Sequence, residues 1–147
     1  MNLTAISVVV ACACVCVPAQ AAEVPFGLIG QFRSQPKKVC IPEASGKVRC
    51  MRIADKMTIE RTSFGGARDV KVTAEFMLPD ARLCTFEGWG GWAPRERSVL
   101  AIDAGSSCEL SLTPVGRELK SFVINGDQCD SPCAGRSWLD GVSMRKR

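Results

Sequence analysis

The stretch Asp69-Val70-Lys71-Val72-Thr73-Ala74-Glu75-Phe76-Met77 decides the fold class. Val70, Val72, Ala74 and Phe76 alternate with Lys71, Thr73 and Glu75. Successive side chains of an extended chain point to opposite faces, so this period of two marks a strand with one face buried and one in water. Cys108-Glu109-Leu110-Ser111-Leu112-Thr113 repeats the pattern. Elsewhere short apolar bursts are separated by Gly, Pro, Asp and Ser, the residues that punctuate strands with turns. No window carries a helical stripe of ten or more residues.

This reading places strands at Gly27–Arg33, Lys37–Pro42, Lys47–Ile53, Met57–Arg61, Asp69–Met77, Arg82–Glu87, Ser98–Asp103, Cys108–Thr113, Leu119–Ile124 and Trp138–Met144. Such a series in one domain predicts an all-β fold, a small antiparallel β-barrel or sandwich of about eight to ten strands. A barrel removes the exposed sheet edges that invite aggregation. There is no internal repeat and no second domain.

Residues 1–21 do not share this pattern. Ala5 to Val17 is an uncharged apolar run of 13 residues, followed by Pro18 and the small-x-small triplet Ala19-Gln20-Ala21. The run is too short for a helix that spans ~30 Å of hydrocarbon. It reads as a signal peptide cleaved after Ala21, although no Lys or Arg precedes it. Residues 22–147 would then be a single domain in the periplasm or outside the cell. A lesser alternative is a lipoprotein anchored at Cys12, because Val9-Val10-Ala11-Cys12 resembles a lipobox.

Cleavage would reduce nine cysteines to six: Cys40, Cys50, Cys84, Cys108, Cys129 and Cys133. An even set in an exported chain predicts a disulfide framework. With no His and no C-x-x-C, a metal site is not expected.

The first hairpin can be set in register from sequence. Ala44-Ser45-Gly46 makes a three-residue loop with Gly46 in the left-handed position. Glu43 then faces Lys47, Pro42 faces Val48, Ile41 faces Arg49 and Cys40 faces Cys50. Cys40/Cys50 becomes a non-hydrogen-bonded pair, with Cα atoms ~4.5 Å apart, which a disulfide can bridge. For the later strands an antiparallel meander aligns Ala101–Asp103 with Cys84 on one side and Cys108 on the other. It also gathers Cys84, Cys108, Cys129 and Cys133 near one end, with their pairing open. Trp138 is expected to open the last strand and pack in the core.

The chemistry of the chain excludes much. Without His or Tyr there is no Ser-His-Asp or Cys-His arrangement. Phosphate-cradling glycine loops are absent. Glu60, Glu75, Glu87 and Glu109 fall on outward strand positions. No enzyme activity and no cofactor are expected. The formal charge of +4, from 19 basic and 15 acidic side chains, is too mild and too interspersed for a nucleic-acid binder.

One constellation points to binding. The loops 62–68, 89–97 and 113–118 should share the barrel end opposite the cysteines. They carry Phe64, Arg68, Trp89, Trp92, Arg95, Arg97 and Arg117. Trp and Arg dominate interface hot spots, so this rim is the candidate site for an acidic protein or polysaccharide of the envelope or exterior. The competing reading has the two Trp residues plugging the barrel end.

In architecture alone the chain resembles small periplasmic β proteins of Gram-negative bacteria, the lysozyme-inhibitor barrels among them. Their inhibitory loop motif is absent, so no residue role is carried over. The expected function is a non-enzymatic binding protein with a disulfide-locked scaffold, an inhibitor being one form of it. The alternative is a lipocalin-like carrier of a small apolar ligand. That alternative needs a cavity, whereas a binder's interior should be filled by Phe76, Phe86, Leu100, Ile102, Leu110 and Phe122.

Overall fold

The computed structural model describes residues 22–78, 80–105, 108–124 and 141–147. A 3-10 turn at Phe26–Leu28 leads into β1 (Gly30–Arg33), β2 (Lys37–Pro42), β3 (Val48–Ile53), β4 (Lys56–Gly65) and β5 (Arg68–Met77). Then follow β6 (Leu83–Ala93), β7 (Ser98–Asp103), β8 (Glu109–Val115), β9 (Glu118–Val123) and β10 (Val142–Lys146). Eight strands close an antiparallel barrel in the order β1-β10-β9-β8-β7-β6-β5-β4, while β2 and β3 pair only with each other. The molecule is thus a closed barrel with a hairpin inserted between its first two barrel strands.

The alternation in β5 behaves as its sequence dictates. Val70, Val72, Ala74 and Phe76 are buried, and Lys71, Thr73 and Glu75 face out. Met57, Ile59, Phe86, Val99, Leu110, Leu112 and Met144 complete the interior. Burial of each such side chain contributes about 1.5–3 kcal/mol.

Leu100, Ile102 and Phe122 correct the expected core, because they face outward. Ile102 is 54% exposed and Phe122 40%. In β7 all four residues Val99-Leu100-Ala101-Ile102 are apolar, so alternation gives no phase. The register with β6 sets it, placing Val99 against Trp92 and Ala101 against Gly90. In β9 the inward positions go to Leu119 and Ser121, which turns Phe122 out.

The hairpin forms in the expected register. Cys40 faces Cys50, Ile41 faces Arg49 and Pro42 faces Val48. Gly46 has φ +80°, and the Glu43 amide donates to the Lys47 carbonyl. Cys40 and Cys50 are disulfide-bonded with Cα atoms 4.0 Å apart.

The later register differs from expectation by four residues. Asp103 does face Cys108, and its amide donates to the Cys108 carbonyl. Across β6, however, Asp103 faces Gly88 rather than Cys84. The cause is that β6 continues to Ala93 instead of ending at Glu87. Four residues along a strand span roughly 13 Å, beyond the ~7 Å Cα limit for a direct Cys84–Cys108 bridge. Both cysteines are buried and disulfide-bonded. Cys129, Cys133 and Trp138 lie outside the described residues.

Glycines allow β6 to continue. A Cβ on Gly88 would lie 2.0 Å from the Ile102 carbonyl oxygen, and one on Gly90 2.7 Å from that of Leu100. These bare positions let β6 coil tightly against β7, the kind of kink a small barrel needs to close.

Two carboxylates fix the barrel's ends. Asp69 is buried, accepts the Val24 amide at 2.7 Å, and pairs with Arg61, whose Nη2 donates to the Val24 carbonyl. This clamp draws Val24 into the core, where Leu28 also packs. Asp55 is buried at the hairpin's root. It accepts the Met77 amide at 2.9 Å and pairs with Lys37 at 2.9 Å, while its own amide donates to Ser34 Oγ. One side chain therefore joins β1, the hairpin, β4 and the end of β5.

Candidate functional site

The site is built on the turns β4–β5, β6–β7 and β8–β9, which an antiparallel meander places at one barrel end. They are shorter than the loops expected. β4 runs to Gly65, β6 to Ala93 and β8 to Val115, so the reversals are confined to residues 65–68, 94–97 and 115–118.

Arg68, Arg95, Arg97 and Arg117 are all exposed on these turns, and Phe64 beside them is 72% exposed. None of the four arginines makes an ion pair. Arg97 has φ +51°, in the left-handed region that a side-chain-bearing residue occupies at a cost of about 1–2 kcal/mol. The turn thus holds an arginine where a glycine would fit more easily.

The two tryptophans do not share a face. They are three residues apart on one strand, so period two sends them to opposite sides. Trp92 points inward and packs against the core, which fits the plug reading. Trp89 faces out between Lys71 of β5 and Ile102 of β7. The structure thus brings Phe64 and the four arginines to turns at one end, places Trp89 on the adjacent outer wall, and leaves Trp92 half-buried against the core at the edge of the same cleft that Trp89 lines.

Sequence reasoning missed that wall. Ile102 faces Trp89 on one side and Glu109 on the other. Leu100 faces Gly91 and Ser111, and Ser111 faces Phe122. Trp89, Leu100 and Ile102 form an apolar patch across β6 and β7, and Phe122 of β9 lies beyond the outward Glu109 and Ser111 of β8. A Cβ on Gly91 would lie 2.4 Å from the Gly66 carbonyl oxygen, so the β4–β5 turn rests directly on the wall. Between that turn and the wall lies an open cleft of about 360 Å³ lined by Ala67, Trp89, Trp92, Leu100 and Ile102, with the Glu109 carboxylate at its edge. The signal that could have revealed it was the Trp89–Trp92 spacing, had Gly88–Gly91 been read as strand.

Carboxylates on β5 and β6 are engaged as pairs, whereas Glu109 on β8, beside Ile102, makes no ion pair among the described residues. Glu75 bonds Lys56 and Glu87 bonds Lys71 at 2.6 Å. The Glu87 hydrogen bond, reinforced by its charge, holds the Lys71 ammonium above its ordinary range. Glu118 receives the Ser143 hydroxyl and the Arg145 guanidinium, which together hold its carboxyl below the ordinary carboxylate range. Among the described residues, no group of three His, Cys, Asp or Glu side chains could hold a metal ion. No described helix is long and apolar enough to cross a membrane. No family model, curated protein or solved structure shows a significant similarity to the chain.

Proposed function

We propose that the chain is exported through residues 1–21 and acts in the periplasm or exterior as a non-enzymatic binding protein. Its barrel is the rigid scaffold, and its partner is an acidic protein. The observation that carries this is the juxtaposition of four uncommitted arginines with an exposed apolar wall containing Trp89. A desolvated aromatic centre bordered by arginine is the composition of a protein–protein hot spot. Arginine's fork suits carboxylates on the partner, which is why that partner should be acidic. If the covered surface of the partner is its own active site, the protein is an inhibitor.

The carrier alternative finds little support. The positions that would line a ligand cavity are occupied by Met57, Ile59, Phe76, Phe86 and Leu110, all buried in one core cluster. The cleft beside Trp89 lies outside the barrel.

The test is affinity capture from the native compartment with the unreduced protein and an Arg95→Glu/Arg97→Glu variant. A protein retained by the first and lost from the second is expected. Identical retention by both would remove the arginines from the site and the reading with them.

A further inference from the structure

The net charge is not spread over the molecule. Residues 37–53 carry Lys37, Lys38, Lys47, Arg49 and Arg52 against Glu43 alone, a net +4 that equals the charge of the whole chain. The barrel and the termini together balance to zero. Lys38 and Arg52 face each other beside the Cys40–Cys50 bond on one open face of the hairpin. Apart from Lys37, none of the hairpin cations is ion-paired.

This charge continues into a cleft at the hairpin's root. The cleft, about 580 Å³, lies between Ser34–Lys37 and the end of β10. Arg33, Lys37, Arg145, Lys146 and Arg147 line it, with Asp55 and Glu118 as the opposing carboxylates. Lys37 is committed to Asp55 and Arg145 to Glu118. Lys146 donates to the Gly27 carbonyl and sits over the Phe26 ring. Arg33 and Arg147 have no carboxylate partner.

We infer that the hairpin and the cleft at its root form a second site, which binds an acidic polysaccharide. Cations spread from Lys37 at the root to Lys47 at the turn, with Lys38 and Arg52 on one face and Lys37 and Arg49 on the other, suit a polymer that can follow them. Six-residue strands extend roughly 20 Å, more than one small anion can bridge. The concavity at the root favours a chain, because a flat lipid surface meets the hairpin but cannot enter the cleft. The absence of aromatic residues from positions 37–53 and from the cleft lining disfavours single-stranded nucleic acid, which binds by stacking its bases. Arg33 and Arg147, left without carboxylates, would supply forked bonds to the acid groups of the sugar chain.

The inference is tested apart from the protein-binding reading through Arg33, Lys38, Arg52 and Arg147, which belong to this site alone, although Arg117 adjoins Arg145 and Lys146. It is tested on the disulfide-bonded protein with heparin and polygalacturonate as sulfated and carboxylated probes. A single-stranded oligothymidine and phosphatidylglycerol-containing vesicles are the competing arms. At least one polysaccharide should bind, and its affinity should fall about tenfold or more between 50 and 200 mM salt, as counterion release dictates. Arg33→Ala/Arg147→Ala and, separately, Lys38→Glu/Arg52→Glu should each weaken binding tenfold or more with an unchanged melting temperature. Arg95→Glu/Arg97→Glu should leave it within twofold. Tighter binding to the oligonucleotide or the vesicles would overturn the inference, as would polysaccharide binding insensitive to both variant pairs.

Discussion

The hairpin and the barrel wall β6–β9 are built from the same element by opposite means. The hairpin is short, exposed and local. Its register comes from a turn glycine and a covalent bond between residues 10 apart in sequence. The wall is held by the interior beneath it, and its outer face carries an apolar patch on β6 and β7 where the hairpin is basic. One region gathers the molecule's net charge and the other carries an apolar patch, and they belong to different strands, since the hairpin leaves between β1 and β4 while the patch sits on β6 and β7. A single surface for one partner would not need this separation.

The largest expected effect breaks the wall while sparing the hairpin. Gly88→Ala puts a methyl 2.0 Å from the Ile102 carbonyl oxygen, and the nearest atoms are all β7 backbone, so nothing flexible is there to yield. Overpacking of this kind costs about 3 kcal/mol, read as a lowered midpoint in denaturant. A midpoint equal to that of the native sequence would mean that β6 and β7 are not so tightly coiled.

Asp55→Ala attacks the joint between the two regions. It strands the Met77 amide and removes the Lys37 partner, for a loss of about 2 kcal/mol. Amide exchange should quicken at Ser34 and Met77 and leave Val72 and Leu110 protected. Uniform quickening would show that the joint is not local.

Arg97→Gly separates fold from function at the β6–β7 turn. Relief of the left-handed strain should stabilise the barrel by about 1 kcal/mol while weakening retention of the acidic partner. A destabilised variant would contradict the strained-turn account.

The smallest effect concerns pH. Because the folded Glu118 carboxyl titrates below its ordinary 4.5, its contribution is present above that value and is lost as pH falls through the lower folded midpoint. A carboxyl titration followed by NMR should place Glu118 below 4.5. A midpoint at or above 4.5 would mean that Ser143 and Arg145 do not hold it.

The same contrast explains what could be read from sequence. Everything that fixes the hairpin lies within residues 37–53, so its register, its turn and its disulfide were legible. The strand set and the meander were legible too, because β5 and β8 alternate cleanly. The wall was not. Gly88-Trp89-Gly90-Gly91 has the composition of a loop, and only contact with β7 and with the β4–β5 turn makes it strand. That misreading shortened β6, displaced Cys84 by four residues from its true neighbours and put Trp89 and Trp92 in one loop. In Val99–Ile102 both faces are apolar, so the choice of which to bury belongs to the partner strand. The arginines, by contrast, were legible as a group because turn positions do not depend on strand phase.

Hydroxyl-radical footprinting of the protein with and without its captured acidic partner tests the central claim most directly. The account predicts protection at Trp89, Leu100, Ile102 and Phe122, with Pro42 and Val48 of the hairpin as reactive as in the free protein. Protection at the hairpin with an unprotected wall would contradict it.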